Sequence, residues 1–81
     1  MFHKISNVKP LDNYWLSVSF DDGEVKKYDM KKLINEELGF GSLADYDVFS
    51  EAKVDVGGYG ISWNDDLDLS AEELWDNSVK L

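Results

Sequence analysis

Asn64, Asp65, Asp66 and Asp68 place four oxygen-bearing side chains within five positions. Hard cations such as calcium and magnesium are held by oxygens of this kind. The spacing departs from the EF-hand loop, however. Counted from Asn64, Leu69 stands where that loop requires glycine, and Trp75 stands where it requires the terminal glutamate. What remains is a weak divalent-cation site, set against a solvated acidic bend that favours the N-terminus of a following helix. The surrounding segment, residues 61–76, holds six of the 17 acidic residues and no basic one. Asp65, Asp66, Asp68, Glu72, Glu73 and Asp76 therefore form the candidate partner-binding set, able to steer and pair with the lysines or arginines of a cationic protein.

Other reactive chemistry is sparse. His3 is the single histidine, and its place beside the N-terminus reads as frayed rather than as part of a triad, which needs an imidazole oriented by neighbours. One histidine cannot build a histidine-cluster metal site. There is no arginine, which removes the usual bidentate clamp for phosphates and carboxylates. There is no cysteine either, so disulfides and thiolate metal sites are unavailable and a reducing cytoplasm is the expected location. Gly57-Gly58-Tyr59-Gly60 has the composition of a phosphate loop, but neither a Gly-Lys-Ser/Thr run nor a helix follows it. Acidic pairs are plentiful, yet general acid–base catalysis needs a pocket that moves their pKa values, and a domain this small rarely encloses one. The expectation is a protein with no catalytic residues, no cofactor and no metal.

Eighty-one residues make a single domain, 1–81. Hydrophobic residues at 43% supply material for one core despite a net charge of −9. Met1-Phe2-His3-Lys4-Ile5 lacks the apolar run of a signal peptide, and no stretch approaches the roughly 20 apolar residues of a membrane span. The negative charge disfavours direct contact with nucleic acid or anionic membranes and favours a basic partner. It is concentrated C-terminally: residues 1–40 carry a net −1 and residues 41–81 a net −8. Lys26, Lys27, Lys31 and Lys32 fall within seven residues, so a dipolar molecule is expected. Trp15 and Tyr59 are candidate aromatic anchors for a partner. Trp15 is out of phase with Leu16, Val18 and Phe20, and alternation leaves open whether it is exposed or covered by a helix.

The elements that must carry these residues read as strands first and helices later. Residues 3–9 are a first strand ended by Pro10, and Tyr14, Leu16, Val18 and Phe20 alternate along a second. Asp21-Asp22-Gly23 is a hairpin turn leading into a returning strand over residues 24–29. Asp29 caps a helix over residues 30–38 with Met30, Leu33, Ile34 and Leu38 as its apolar stripe and Gly39 as its stop. Lys31 and Lys32 in its first turn oppose the helix dipole. Ser42-Leu43-Ala44-Asp45 is a capped turn burying Leu43 and Tyr46, and Phe49 leads into a hairpin. That hairpin runs through Ala52, Val54 and Val56, turns at Gly57-Gly58, and returns along Tyr59, Ile61 and Trp63. A last helix starts at Ser70, with Glu73 completing a capping box and Leu69 stapled to Leu74. The sum is an α+β domain of about five mainly antiparallel strands in hairpins with two or three short helices.

Leu16-Ser17-Val18-Ser19-Phe20-Asp21-Asp22-Gly23, then Leu43-Ala44-Asp45 with Phe49, then Ile61-Ser62-Trp63-Asn64 followed by Asp68-Leu69 and Glu73-Leu74-Trp75, stand in an order that resembles the bacterial and phage-associated family catalogued as domain of unknown function 2442. Asp65 and Asp66 replace that family's proline–glycine style of bend, and Trp75 replaces its usual tyrosine, which adds charge and bulk to the acidic corner. The resemblance implies a small α+β fold without catalytic residues. It also implies kinship with antitoxins that bind small, basic, ribonuclease-like toxins. Three functions follow as expectations. The first is a non-enzymatic acidic protein-binding module that neutralises a small basic partner. The second is a phage-type inhibitor that imitates nucleic acid against a nuclease or CRISPR effector. The third is a weak divalent-cation-binding domain.

Overall fold

Leu16, Val18 and Phe20 alternate along β2 (Trp15–Phe20), and all three side chains are buried. A strand with one face fully apolar must be covered on that face, and the rest of the chain supplies the cover. In the computed structural model, which describes residues 3–36, 40–64 and 67–80, β2 lies between two antiparallel neighbours. These are β1 (Ile5–Pro10) and β3 (Val25–Asp29). Gly23, at φ +91°, makes the β2–β3 turn, and the Asp22 carboxylate braces it by accepting from the Glu24 amide at 2.9 Å.

The segment after β3 forms α1 (Lys31–Glu36), whose first amide donates to Asp29 Oδ1 at 2.9 Å, as expected of a capping aspartate. Met30 is buried, and Leu33 and Ile34 pack on the core. Leu38 and Gly39, assigned to the end of this helix from the sequence, lie outside the described residues. A 3-10 turn (Gly41–Ala44) buries Leu43, and α2 (Tyr46–Phe49) follows with Asp45 as its cap. The second sheet consists of β4 (Lys53–Val54), β5 (Gly60–Asn64) and β6 (Leu67–Ser70), in that order. It feeds α3 (Ala71–Asn77), and β7 (Val79–Lys80) then pairs with β3 to give the first sheet the order β1-β2-β3-β7.

One apolar cluster joins the two sheets and the helices. Leu16, Leu43, Phe49, Ile61 and Leu74 have no exposed surface, and Trp63 donates its indole N–H to the Phe49 carbonyl at 2.9 Å. Burial of side chains of this size contributes about 1.5–3 kcal/mol each. The polar end of the one buried tryptophan is thus satisfied inside the core.

Several local expectations are corrected. The α+β architecture of antiparallel strands with short helices is the one expected; among the described residues the strands number seven against the roughly five expected, because Leu67–Ser70 and Val79–Lys80 both enter sheets. Phe49, expected to lead into a hairpin, ends a helix, and the strand after it begins only at Lys53; Tyr46 is exposed with its hydroxyl donating to the Leu11 carbonyl at 3.2 Å. Tyr14 precedes β2 at φ +62°, and its hydroxyl donates to the Ala44 carbonyl. The Gly57-Gly58 hairpin is wider than a two-residue turn. β4 stops at Val54, Val56 is 96% exposed, and the Gly58 amide closes a 3-10 turn onto the Asp55 carbonyl at 2.9 Å. Gly58 has φ +77°, and a Cβ there would lie 2.6 Å from the Ile5 carbonyl, so this loop seats directly against β1.

Candidate functional site

Ser70 starts α3 as the sequence predicts, its hydroxyl accepting from the Glu73 amide at 3.2 Å. Ala71 and Leu74 turn inward and are buried, so Glu72, Glu73 and Asp76 fall on the outer arc of a short amphipathic helix. Glu72 and Asp76 share one line along this helix, and Glu73 and Asn77 share the next. The carboxylates on these two lines have different environments.

Glu73 does not reach back to complete a capping box. Its Oε2 accepts from the Tyr28 hydroxyl at 3.0 Å and from Asn77 Nδ2 at 2.9 Å. Tyr28 is a buried β3 residue, and its phenol is pushed well above the ordinary tyrosine value. Burial is the main cause, followed by the hydrogen bond to Glu73 and the negative charges of Glu73 and Asp29. Tyrosine at this position binds α3 to the first sheet and registers a local negative field.

Glu72 accepts from the His3 backbone N–H at 2.9 Å, and its carboxylate lies 3.2 Å from His3 Nδ1. The bond from that amide is the chief reason its carboxyl sits below the ordinary glutamate value. The His3 ring stacks on Trp75 at 3.8 Å between centroids and an interplanar angle of 9°. Lys26 Nζ lies 4.0 Å from the centroid of the same indole and donates to the Trp75 carbonyl at 3.0 Å. With both groups so close, they occupy opposite faces of the ring. Phe20 meets it edge-on at 4.9 Å. His3 is therefore not frayed. Stacking, a carboxylate acceptor and a backbone hydrogen bond fix it to α3, where Glu72 lies 69 residues away along the chain.

The remaining candidates are distributed as follows. Asp68, on β6, and Asp76, on α3, are exposed. Asp65 and Asp66 lie outside the described residues. Tyr59 is 56% exposed, and its carbonyl accepts from the Ala71 amide at 2.9 Å, which puts it at the root of α3 beside the acidic set. Trp15 is separated from that set. It is half-buried on the face of the first sheet opposite α3, with Lys27 Nζ at 4.8 Å and Lys31 Nζ at 5.0 Å from its ring centroid. The four clustered lysines are thus split. Lys26 backs α3, Lys27 and Lys31 hold Trp15, and Lys32 is exposed. The cluster is divided because adjacent strand residues point to opposite faces.

Among the described residues, Asp29 is the one carboxylate in ion-pair range of a lysine, Lys31 at 3.1 Å. No group of three or more histidine, aspartate or glutamate side chains able to hold a metal ion occurs among them. Asn64 Oδ1 accepts from the Leu67 amide at 3.1 Å, so this candidate cation ligand serves the β5–β6 turn. Tyr28, His3, Lys26 and Asn77 belong to the site, and only Asn77 carried a signal in the sequence, its i,i+4 spacing from Glu73.

Comparison with curated proteins finds no match. A crystal structure from Nitrosomonas europaea ATCC 19718, carrying the name Putative DNA Binding Protein NE0471, superimposes with a TM-score of 0.71 at 22% identity. The match covers 82% of this chain and 43% of that one, so this chain spans less than half of that protein's length. At such identity the likeness is one of fold. The sequence model of a family described as Protein of unknown function (DUF2442) matches residues 5–80.

Proposed function

The chain belongs to that family, whose description assigns no activity, and we propose that it is a non-enzymatic acidic binding module of the antitoxin kind that neutralises a small basic protein. One observation carries this reading: Asp68 and Asp76 are exposed, Glu72 and Glu73 stand half-exposed between them, and no lysine is in ion-pair range of any of the four among the described residues. Carboxylates on one short helix and the strand feeding it, with His3 beside Glu72 as their nearest cationic group, raise the local negative potential, which draws in a cationic partner and sets its on-rate. Tyr59, exposed at the root of α3, supplies an aromatic contact at the edge of the same surface. Trp15 drops out of this interface, because it lies on the opposite side of the first sheet. A cytoplasmic location accompanies the reading, in keeping with a chain that has no cysteine to oxidise. Among the described residues no helix is long and apolar enough to cross a membrane.

The test is to look beside this chain's gene for a short, strongly basic protein and to co-express the two. The expected result is a complex that forms more slowly as salt rises. Absence of a complex overturns the reading. Replacing Asp68, Glu72 and Asp76 together by their amides should lower the association rate at low salt by about tenfold. The nucleic-acid-mimic version differs in one readout: there, DNA or RNA displaces the protein from its partner. The name of the Nitrosomonas europaea protein raises direct DNA binding as a further possibility, against which the net charge of −9 weighs.

A further inference from the structure

Between β3, α1 and α3 lies an open cleft of about 430 Å³, lined by Tyr28, Asp29, Lys32, Leu33, Glu73 and Asn77. Its volume falls within the roughly 300–1,000 Å³ typical of small-ligand sites. Its polarity is set by Glu73. The Tyr28 hydroxyl and the Asn77 amide converge on a single oxygen of that carboxylate, Oε2. Oε1 has no hydrogen-bond partner among the described residues. The two donors are neutral, so they orient the carboxylate without cancelling its charge. Asp29 adds a second carboxylate to the lining, although Lys31 already engages it. Half-buried Leu33 and the buried Tyr28 ring give the cleft apolar wall.

A fixed, half-desolvated carboxylate beside an apolar wall is matched by a cation with an aliphatic stem. We propose that this cleft receives the side chain of an arginine, its guanidinium donating to Glu73 Oε1 and its methylenes lying along Leu33 and Tyr28. Arginine fits better than lysine. Its planar, weakly hydrated head loses less on leaving water and offers several donors to Glu73 Oε1. Lys32, exposed on the lining, opposes the incoming charge and tunes affinity downward. The inference rests on the reading of the chain as a binder of basic proteins for the source of the arginine, but the site itself can be tested without any partner.

The probe is N-acetyl-arginine methylamide, followed by amide NMR of the whole chain against the lysine and citrulline equivalents. The arginine probe should give saturable shifts at the Asn77 side-chain amide and the Leu33 and Glu73 backbone amides, the lysine probe weaker ones, and uncharged citrulline none. Glu73→Gln keeps an oxygen for Tyr28, and its effect on folding is read from the remaining resonances. It should weaken the arginine probe by about tenfold, the scale of one charge-assisted hydrogen bond. Lys32→Ala should tighten it, a change that a purely structural role for Glu73 would not produce. Shifts spread over Asp68 and Asp76 as strongly as over the cleft, or equal binding by Glu73→Gln, overturn the proposal. If the basic partner binds wild type and Glu73→Gln alike, the cleft fails and the broader function stands. If the probe binds as described but no basic partner exists, the broader function fails and the cleft stands.

Discussion

Trp75 shows how a single side chain can fix three distant parts of the chain. His3, Phe20 and Lys26 each contact its ring, and its own backbone carbonyl is bound as well. Trp75→Ala should cost about 3 kcal/mol, read as a lowered urea midpoint, and should release His3 from its stack. The Glu72 carboxyl is held below its ordinary value by the His3 amide and ring. A depressed folded-state pKa contributes stability above the unfolded value and loses it as pH falls through the folded one. Denaturant midpoints measured down an acid series should therefore fall, and Glu72→Gln should flatten part of that fall. Tyr28 behaves in the opposite sense. Its raised phenol contributes stability that is complete below the unfolded value near about 10 and is lost as pH rises further. Tyr28→Phe should blunt alkaline unfolding followed by circular dichroism. Neither contact was legible in the sequence. His3 and Tyr28 acquire their roles from residues 69 and 45 positions away, and no local pattern encodes such pairs.

At the scale of elements, what could be read was what repeats or caps. The alternation of Leu16, Val18 and Phe20 gave β2, and Ser70 gave the start of α3, because both signals lie within a few residues of the structure they specify. Ser70→Ala should destabilise the protein by about 1 kcal/mol, measured by chemical denaturation. What escaped was backbone pairing in short pieces. β7 has two residues, Val79 and Lys80, and its place beside β3 comes from the partner strand rather than from any periodicity of its own. β6 was hidden because Leu67 and Leu69 alternate for only four residues before the helix begins. Val56 kept the alternating pattern of β4 yet lies in the loop, since Gly57 and Gly58 adopt positive φ and turn the chain early. Gly58→Ala should cost more than about 1 kcal/mol, from both the φ angle and the collision with the Ile5 carbonyl, and a thermal melt would show it.

For the whole molecule, the two faces of the first sheet separate Lys26 from Lys27 and Lys31. The first sheet puts Trp15 with Lys27 and Lys31 on one side and α3 with its carboxylates on the other, with Lys26 between β3 and α3. Net charge and the acidic run were readable from composition. Their geometry was not, because strand alternation divides neighbouring lysines only once the faces are covered. A labelled duplex DNA titrated at physiological salt should show no saturable binding, while a basic protein should associate with a rate that falls steeply as salt increases. Saturable DNA binding would place the function on the Trp15 face instead.

The three indoles occupy three different surroundings. One is sealed in the core against a carbonyl, one lies beneath two ammonium groups on the open sheet, and one is pressed against an imidazole. Three surroundings this different make the indoles distinguishable reporters of what touches the protein. A ligand settling on the α3 surface should change the emission of Trp75, and one settling on the opposite face of the first sheet should change that of Trp15.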